Sequence, residues 1–375
     1  MSGGLRVGVL GGGVLGVSTA VHLARRGASV VLVSDGDLTS RASGRSLSWL
    51  NSSGERRSEY HRLRLAGIER YRQLSAQHPD AAWLRFDEGG LTWNASGDGD
   101  ALRATHAHER SIGYPSQLLM PPEVARRFPA LDASVVPEDG ALWNPTEGWV
   151  DLPSLVGLLA DELRATGGEV VTGAGPAELE VGDTGVSGVR TADGSRWAVD
   201  AAVLATGAAV PAATAALGVE IPEATPLALL VRTEPVDTGL RLVLNTPRAA
   251  LRPTPDGGLA VDHDWMTSSI VGPHDGPWEV PAGVVEELLG EASRVLAAHP
   301  ALRPQSVGVV RKPIPADGEP VIGALPGVPG AHVAFTHSGA TLGLITGELL
   351  ADQVLTGEQP ELLAPFTAAR FAVGV

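Results

Sequence analysis

The stretch from Leu5 to Asp35, LRVGVLGGGVLGVSTAVHLARRGASVVLVSD, decides the fold. It opens on an apolar run, Val7 to Leu10, that predicts a buried strand. Gly11, Gly13 and Gly16 follow in G-x-G-x-x-G spacing, and the helix-forming run Ser18 to Arg26 ends at Gly27. Ser29 to Val33 is a second, β-branched strand. The order strand, glycine turn, helix, strand is that of a βαβ nucleotide-binding unit. The first glycine permits the tight turn, the second lets a diphosphate approach the backbone, and the third lets helix and strand pack closely. Unpaired N–H groups at the helix start, at Gly13, Val14 and Leu15, supply a positive dipole end for phosphates.

An acidic side chain normally ends the second strand and accepts from the adenosine ribose. Here that place, eighteen residues past Gly16, is Ser34, with Asp35 next. A serine hydroxyl bonds a ribose without charge assistance, at a loss of about 1–2 kcal/mol. Asp35 substitutes for it if the strand end bends.

Bulk properties narrow the class. The 375 residues predict two domains or one large one, and 43% hydrophobic content supplies ample core. A net charge of −15 argues against nucleic acid or an anionic membrane as partner. No cysteine is present, so disulfides, thiolate metal sites and cysteinyl-linked cofactors are excluded. Val7 to Ala24 carries no acid or base except His22, but its glycines and βαβ pattern distinguish it from a membrane span or signal peptide. The expected location is therefore the cytoplasm. Lys312 is the single lysine among 28 basic residues.

Further along, the hydroxyl-rich loop Gly36 to Gly54 predicts a segment threading beside the nucleotide, where Ser43, Gly44, Arg45 and Ser46 can donate to phosphates. Glu55 to Gln77 reads as a helix with Tyr60, Leu63, Ile68, Tyr71 and Leu74 on one side. Alternation from Trp83 to Asn94 around Gly89-Gly90 predicts a hairpin. Helices are expected over Ala101–Ile112, Pro121–Phe128, Leu152–Ala165 and Val284–Leu296. Strands are expected at Glu169–Thr172, in a meander beginning at Ala177, and at Ala201–Gly207. From Pro226 the pattern turns to antiparallel strands, with a turn at Pro255–Gly258. His106 and His108 point apart on a helix, and His263 between two aspartates reads as a solvated pair, so no metal site is expected.

The C-terminal stretch Val310 to Gly357 reads VRKPIPADGEPVIGALPGVPGAHVAFTHSGATLGLITGELLADQVLTG. Pro313, Asp317-Gly318, Pro320, Ile322-Gly323, Pro326, Gly330 and Thr336 to Thr341 resemble the closing motif of the D-amino-acid oxidase family, which includes glycine oxidase and sarcosine oxidase. Gly11-x-Gly13-x-x-Gly16, Ser43 to Ser46 and Ala205-Thr206-Gly207 resemble its other motifs, in the same order. The resemblance implies an α/β (α+β overall) fold: a Rossmann-type FAD-binding domain with a parallel sheet, and a substrate domain on a mostly antiparallel sheet. Residues 1–82, 141–225 and 303–375 are expected in the first, 83–140 and 226–302 in the second.

The resemblance also implies FAD, held non-covalently. Ala177, Thr206, Gly207 and the run His337, Ser338, Gly339, Ala340, Thr341, Leu342 join the glycine and serine loops as its contacts, and the second run starts a helix aimed at the flavin. The implied reaction removes a hydride from the carbon bearing the nitrogen of a small amine or amino acid. It leaves an imine, and O2 reoxidises the flavin to give hydrogen peroxide. A dehydrogenase with another acceptor, a tailoring enzyme acting on a ring amine, and a flavin-binding protein without turnover are the alternatives.

In this family an arginine five residues before the Asp-Gly pair clamps the substrate carboxylate. Counting back from Asp317 gives Lys312, beside Arg311. Three readings stand: Lys312 binds a carboxylate as a point charge, assists oxygen reduction near the flavin, or is a salt-bridged strand lysine. Arg252, before its turn, either reaches the pocket or supports the hairpin. Trp49 either walls the substrate site or packs. His337 is expected to shape the flavin loop.

Overall fold

A computed structural model of the chain describes residues 4–273 and 276–371. The first strand, Arg6–Leu10, lies inside a six-stranded sheet in the order Val321–Ala324, Ala331–Phe335, Ala201–Leu204, Arg6–Leu10, Ser29–Val33, Glu169–Val171. The five strands from Ala331–Phe335 to Glu169–Val171 are parallel, and Val321–Ala324 closes the edge antiparallel. Burial of the four inner strands on both faces explains the continuous apolar runs in the sequence. From the central strand the chain winds one way to Ser29–Val33 and the other way to Ala201–Leu204. The sheet therefore has a switch point beside Leu10, where ligands bind in open α/β sheets.

The first helix spans Val14–Arg25, beginning four residues earlier than the helix-forming run suggested because the glycine turn itself carries the helix start. The helix Gly339–Thr356 lies on it. A Cβ at Gly343 would stand 2.7 Å from Val14 Cγ2, and one at Gly347 would stand 2.2 Å from Ser18 Oγ. Only glycine admits that approach. Ser58–Gln77 packs on the same pair through Gly67, whose Cβ would meet the Thr341 carbonyl at 2.2 Å.

The second large sheet has eight strands: Pro304–Arg311, Leu227–Thr233, Leu259–Asp262, Ala250–Pro253, Val243–Asn245, Gly90–Thr92, Ala141–Asn144 and Gln117–Leu119. All its pairings are antiparallel except Val243–Asn245 with Gly90–Thr92. Two of its strands, Ala141–Asn144 and Pro304–Arg311, come from segments expected in the cofactor unit. The helix Ala282–Arg294 covers this sheet with Val285, Leu288, Leu289 and Ala292 buried. The meander is confirmed as Ala177–Gly182, Gly185–Thr191 and Arg196–Ala198.

The hairpin expected around Gly89-Gly90 does not form. Leu84–Arg85 pairs instead with Gly148–Val150, in a small sheet with Trp49–Leu50, while Gly90–Thr92 enters the eight-stranded sheet. Local alternation marked both strands but carried no information about their distant partners. His106 meets Ser116 and His108 meets the Arg56 carbonyl, and among the described residues no cluster of three or more His, Asp or Glu could hold a metal. No helix among these residues is long and apolar enough to cross a membrane.

A buried polar network ties the loop Asn51–Gly54 to both sheets. The fully buried Glu147 accepts from Tyr114 Oη at 2.5 Å and from Ser53 Oγ at 2.9 Å, both at Oε1. Tyr114 Oη in turn accepts from the Ser52 amide, and buried Glu109 accepts from the Gly54 amide at 2.8 Å. The Trp49 indole N–H and Glu147 Oε2 both face the bare Cα of Gly90. Burial pushes the Glu147 carboxyl up to about 8.

Glu147 is therefore protonated in the folded chain and ionised in the unfolded one between its ordinary value of 4.5 and about 8. The native state binds the extra proton, so this group's stabilising contribution is complete below that window and is lost as pH rises through it. Urea midpoints measured at pH 5, 6.5 and 8 should fall with pH, by up to about 1.4 kcal/mol per unit from this group. Glu147→Gln keeps the acceptor and should flatten the profile; parallel profiles for the two proteins would contradict the assignment.

Candidate active site

The C-terminal edge of the six-stranded sheet gathers the glycine turn, Ser34, Thr206-Gly207 and the Thr336–Gly339 turn. Gly11 has φ +123°, and its missing Cβ would stand 2.3 Å from the Ala205 carbonyl. A Cβ at Gly16 would stand 2.0 Å from the Gly11 carbonyl. These two positions accept only glycine. The helix behind them has no acidic residue in its first turn and no capping side chain at Gly13. Ser43 Oγ, from the hydroxyl-rich loop, accepts the Val14 amide at 3.0 Å and so sits at the helix mouth with Gly44 in the same 3-10 turn.

The rest of that loop is used differently from the sequence expectation. Arg45 donates to the Ser40 carbonyl and lies across Gly308, clasping the loop to the antiparallel sheet. Ser46 Oγ accepts the Ser48 amide at 3.0 Å, supporting the positive φ of +56° at Ser48. Both residues brace the loop, because a chain that crosses from one sheet to the other must satisfy its own turns.

At the ribose end Ser34 is buried with its hydroxyl against Gly12, whereas Asp35 is turned to solvent and paired with Arg41 at 3.0 Å. The amides of Gly173, Ala174 and Gly175 close on the carbonyls of Gly36, Ser34 and Asp35. Ala177 stands two residues further on, paired with Thr191 in the meander. Thr206 Oγ1 is buried without a partner, and Gly207 turns the chain with φ +61°.

The helix Gly339–Thr356 also starts without an acidic residue or a capping side chain. A Cβ at Gly339 would be 3.7 Å from Val14 Cγ1, which puts the two helix starts side by side. Two helix starts free of acidic residues, an orphaned threonine hydroxyl and a cradle only glycine can line fit a dinucleotide bearing a flavin. Ser338 Oγ is taken by Tyr60 Oη at 2.6 Å and by buried Arg64; Thr341 Oγ1 donates to the Trp49 carbonyl at 3.2 Å. Ala340 accepts from Tyr71 at its carbonyl, and Leu342 is wholly buried, so these side chains anchor the helix and leave its amides free to face a ligand.

His337 lies in the turn that leads into this helix. Desolvation, then the positive charges of Lys312, Arg64 and Arg56, push its imidazole down to about 4, and it is neutral at pH 7.

Lys312 follows the last residue of Pro304–Arg311 and pairs with Asp264 at 2.9 Å. Asp262, at the end of its strand, stands near the same lysine; burial pushes its carboxyl up to about 7. Arg311 pairs with Glu223 at 3.5 Å on the other side. Arg252 is fully buried: it donates to the carbonyls of Leu47 and Pro253, stands 3.6 Å from Asp151, and stacks over Trp149. It thus fastens the cofactor loop to its hairpin. Trp49 presents its carbonyl to Thr341 and its ring to Glu147.

Arg64 and Arg56 were not singled out from the sequence, where Tyr60 was read only as part of an apolar stripe and Asp262 only as a flank of His263. Arg64 had a signal: it falls four residues after Tyr60 and seven before Tyr71, on the apolar stripe of its helix. A charge placed there has to find buried acceptors, and it does, in Asn51, Tyr60 and Ser338.

The chain matches the FAD dependent oxidoreductase family model over residues 6–353. It is 28% identical to an uncharacterised oxidoreductase, YurR, of Bacillus subtilis (strain 168), across 96% of this chain and 98% of that one. Glycine oxidase of Geobacillus kaustophilus (strain HTA426) is 27% identical across 97% and 96% of the two chains. A crystal structure of glycine oxidase from Geobacillus kaustophilus superposes with a TM-score of 0.83 at 22% identity, covering 99% of this chain and 100% of that chain. FAD is therefore the cofactor, and the chain belongs to the D-amino-acid oxidase type of FAD-dependent oxidoreductases.

Proposed function

We propose that this oxidoreductase removes a hydride from the carbon beside the nitrogen of a small amine or amino acid, and that O2 takes the electrons. The observation that carries this reading is that ionisable groups of the eight-stranded sheet stand within electrostatic reach of the turn that starts the Gly339–Thr356 helix. His337, in the turn that starts the Gly339–Thr356 helix, feels the charges of Lys312 and Asp264 from the eight-stranded side. A flavin seated on the helix starts thus faces ionisable groups suited to an amine-bearing substrate. In this reading the six-stranded sheet carries the cofactor, held non-covalently, and the eight-stranded sheet carries the substrate.

Bound FAD supplies the hydride acceptor. The protein's part is positioning and charge. Amides at the start of the Gly339–Thr356 helix offer a positive dipole end to negative charge developing at the flavin edge. Neutral His337 fills the turn without adding charge. Asp262 is suited to take the proton from a substrate ammonium, since only the neutral amine releases hydride readily, and its neighbour Lys312 is already paired with Asp264.

Two measurements test this. Anaerobic addition of D- and L-amino acids, N-methyl amines and cyclic imino acids should bleach the flavin band with at least one class, and air should restore it with release of peroxide. A band that bleaches but does not recover in air would favour another electron acceptor; a band that no such compound bleaches would contradict C–N oxidation. With the substrate so found, kcat/KM should rise as pH increases through about 7, as Asp262 ionises. Asp262→Asn should remove that acid limb and lower the plateau by about 10²-fold; an unchanged profile would rule Asp262 out as the proton acceptor.

A further inference from the structure

We infer that Arg56 seats the substrate's carboxylate, while the Lys312 side of the site receives its amine end. This rests on the C–N oxidation reading above and assigns the substrate class as an amino acid bound in a fixed orientation. The sequence pointed to Lys312 as the clamp, but the charges around the site are arranged otherwise. Lys312 is engaged by Asp264 at 2.9 Å and has Asp262 close by, so two carboxyls face one lysine. An incoming carboxylate there would displace one anion and be repelled by another. The same surplus of acid suits a protonated amine.

The other cations are also spent. Arg252 is engaged by Asp151 and two carbonyls, and Arg311 pairs with Glu223. Arg64 directs its nitrogens to Asn51, Tyr60 and Ser338. Arg56 differs from all of them. Its Nε is buried without a partner, and its guanidinium forms no ion pair among the described residues. It lies 5.5 Å from the centroid of the Tyr60 ring, stacked but not neutralised. Tyr60 in turn bonds Ser338 Oγ at 2.6 Å, which sets Arg56 one side chain away from the start of the Gly339–Thr356 helix.

The acid nearest in influence, Glu147, does not cancel it. Glu147 already holds Tyr114 and Ser53 on Oε1, and its raised proton affinity keeps it neutral at pH 7. Arg56 itself is lowered by burial only to about 10 and stays charged. A guanidinium with a buried, unpartnered Nε and no counter-ion is costly, and a ligand carboxylate supplies the missing partner through a two-pronged hydrogen bond. The backbone is set for this: His108 Nε2 meets the Arg56 carbonyl at 3.2 Å, and Glu109 holds the Gly54 amide.

The test uses the oxidised holoenzyme and calorimetric titration with two probes, benzoate (a carboxylate without an amine) and benzylamine (an amine without a carboxylate). Arg56→Met should weaken benzoate by about 30-fold or more and leave benzylamine within about threefold. Lys312→Met should leave benzoate within about threefold. Should Arg56→Met fail to hold FAD, Arg56→Lys decides: it keeps the charge but loses the fork, and should weaken benzoate by about five- to tenfold. Benzoate binding lost in Lys312→Met, or unchanged in both Arg56 variants, would overturn the assignment. A wild-type enzyme that bleaches with amines yet binds no benzoate would overturn it too, with C–N oxidation left standing.

Discussion

Two helices from opposite ends of the chain touch through bare backbone, and the site depends on that contact. Gly343 and Gly347 carry no side chain between the Gly339–Thr356 helix and the Val14–Arg25 helix, and Gly339 brings their N-termini beside one another. Each start is free of acid, and neither is capped by the side chain of its own N-cap residue. Their dipoles therefore add at the C-terminal edge of one parallel sheet, where a diphosphate and an electron-rich ring both find positive potential. A side chain at either glycine would part the helices and misalign the two ends.

The remaining structure serves to hold a second sheet against that edge. The loop Gly36–Gly54 makes the crossing, and it is pinned at several places: Arg45 over Gly308, Arg252 on the Leu47 carbonyl, Glu109 on the Gly54 amide, and Glu147 through Ser53 and Tyr114. Most of these pins are buried charges or hydrogen bonds to buried carboxyls. They are costly to bury and specific in geometry, which suits a loop whose exact course decides what the flavin faces.

Much of this was legible in the residues. The βαβ unit, the helix at Leu152–Ala165 and the strand Ser29–Val33 follow local periodicity and glycine punctuation, and the last two appear with the bounds the sequence predicts. Pairings between distant segments were not legible: Leu84–Arg85 and Gly90–Thr92 look like one hairpin but belong to different sheets. At the site, backbone-defined positions such as Gly11, Gly16 and Thr206 could be read, because glycine spacing encodes backbone geometry. Side-chain pairing could not. Nothing in the order of residues announces that Asp264 reaches Lys312, or that Arg56 is left without an anion.

The most direct test of the account is the flavin content of the purified chain and of Gly13→Val, which places a side chain at the mouth of the first helix, against Ser43. The wild-type chain should release about one FAD per chain on denaturation, with none left attached. The folded variant should retain less than about a tenth of that. A folded wild-type chain that takes up no FAD, or a variant that binds it undiminished, would contradict the claim that the paired helix starts form the cofactor site.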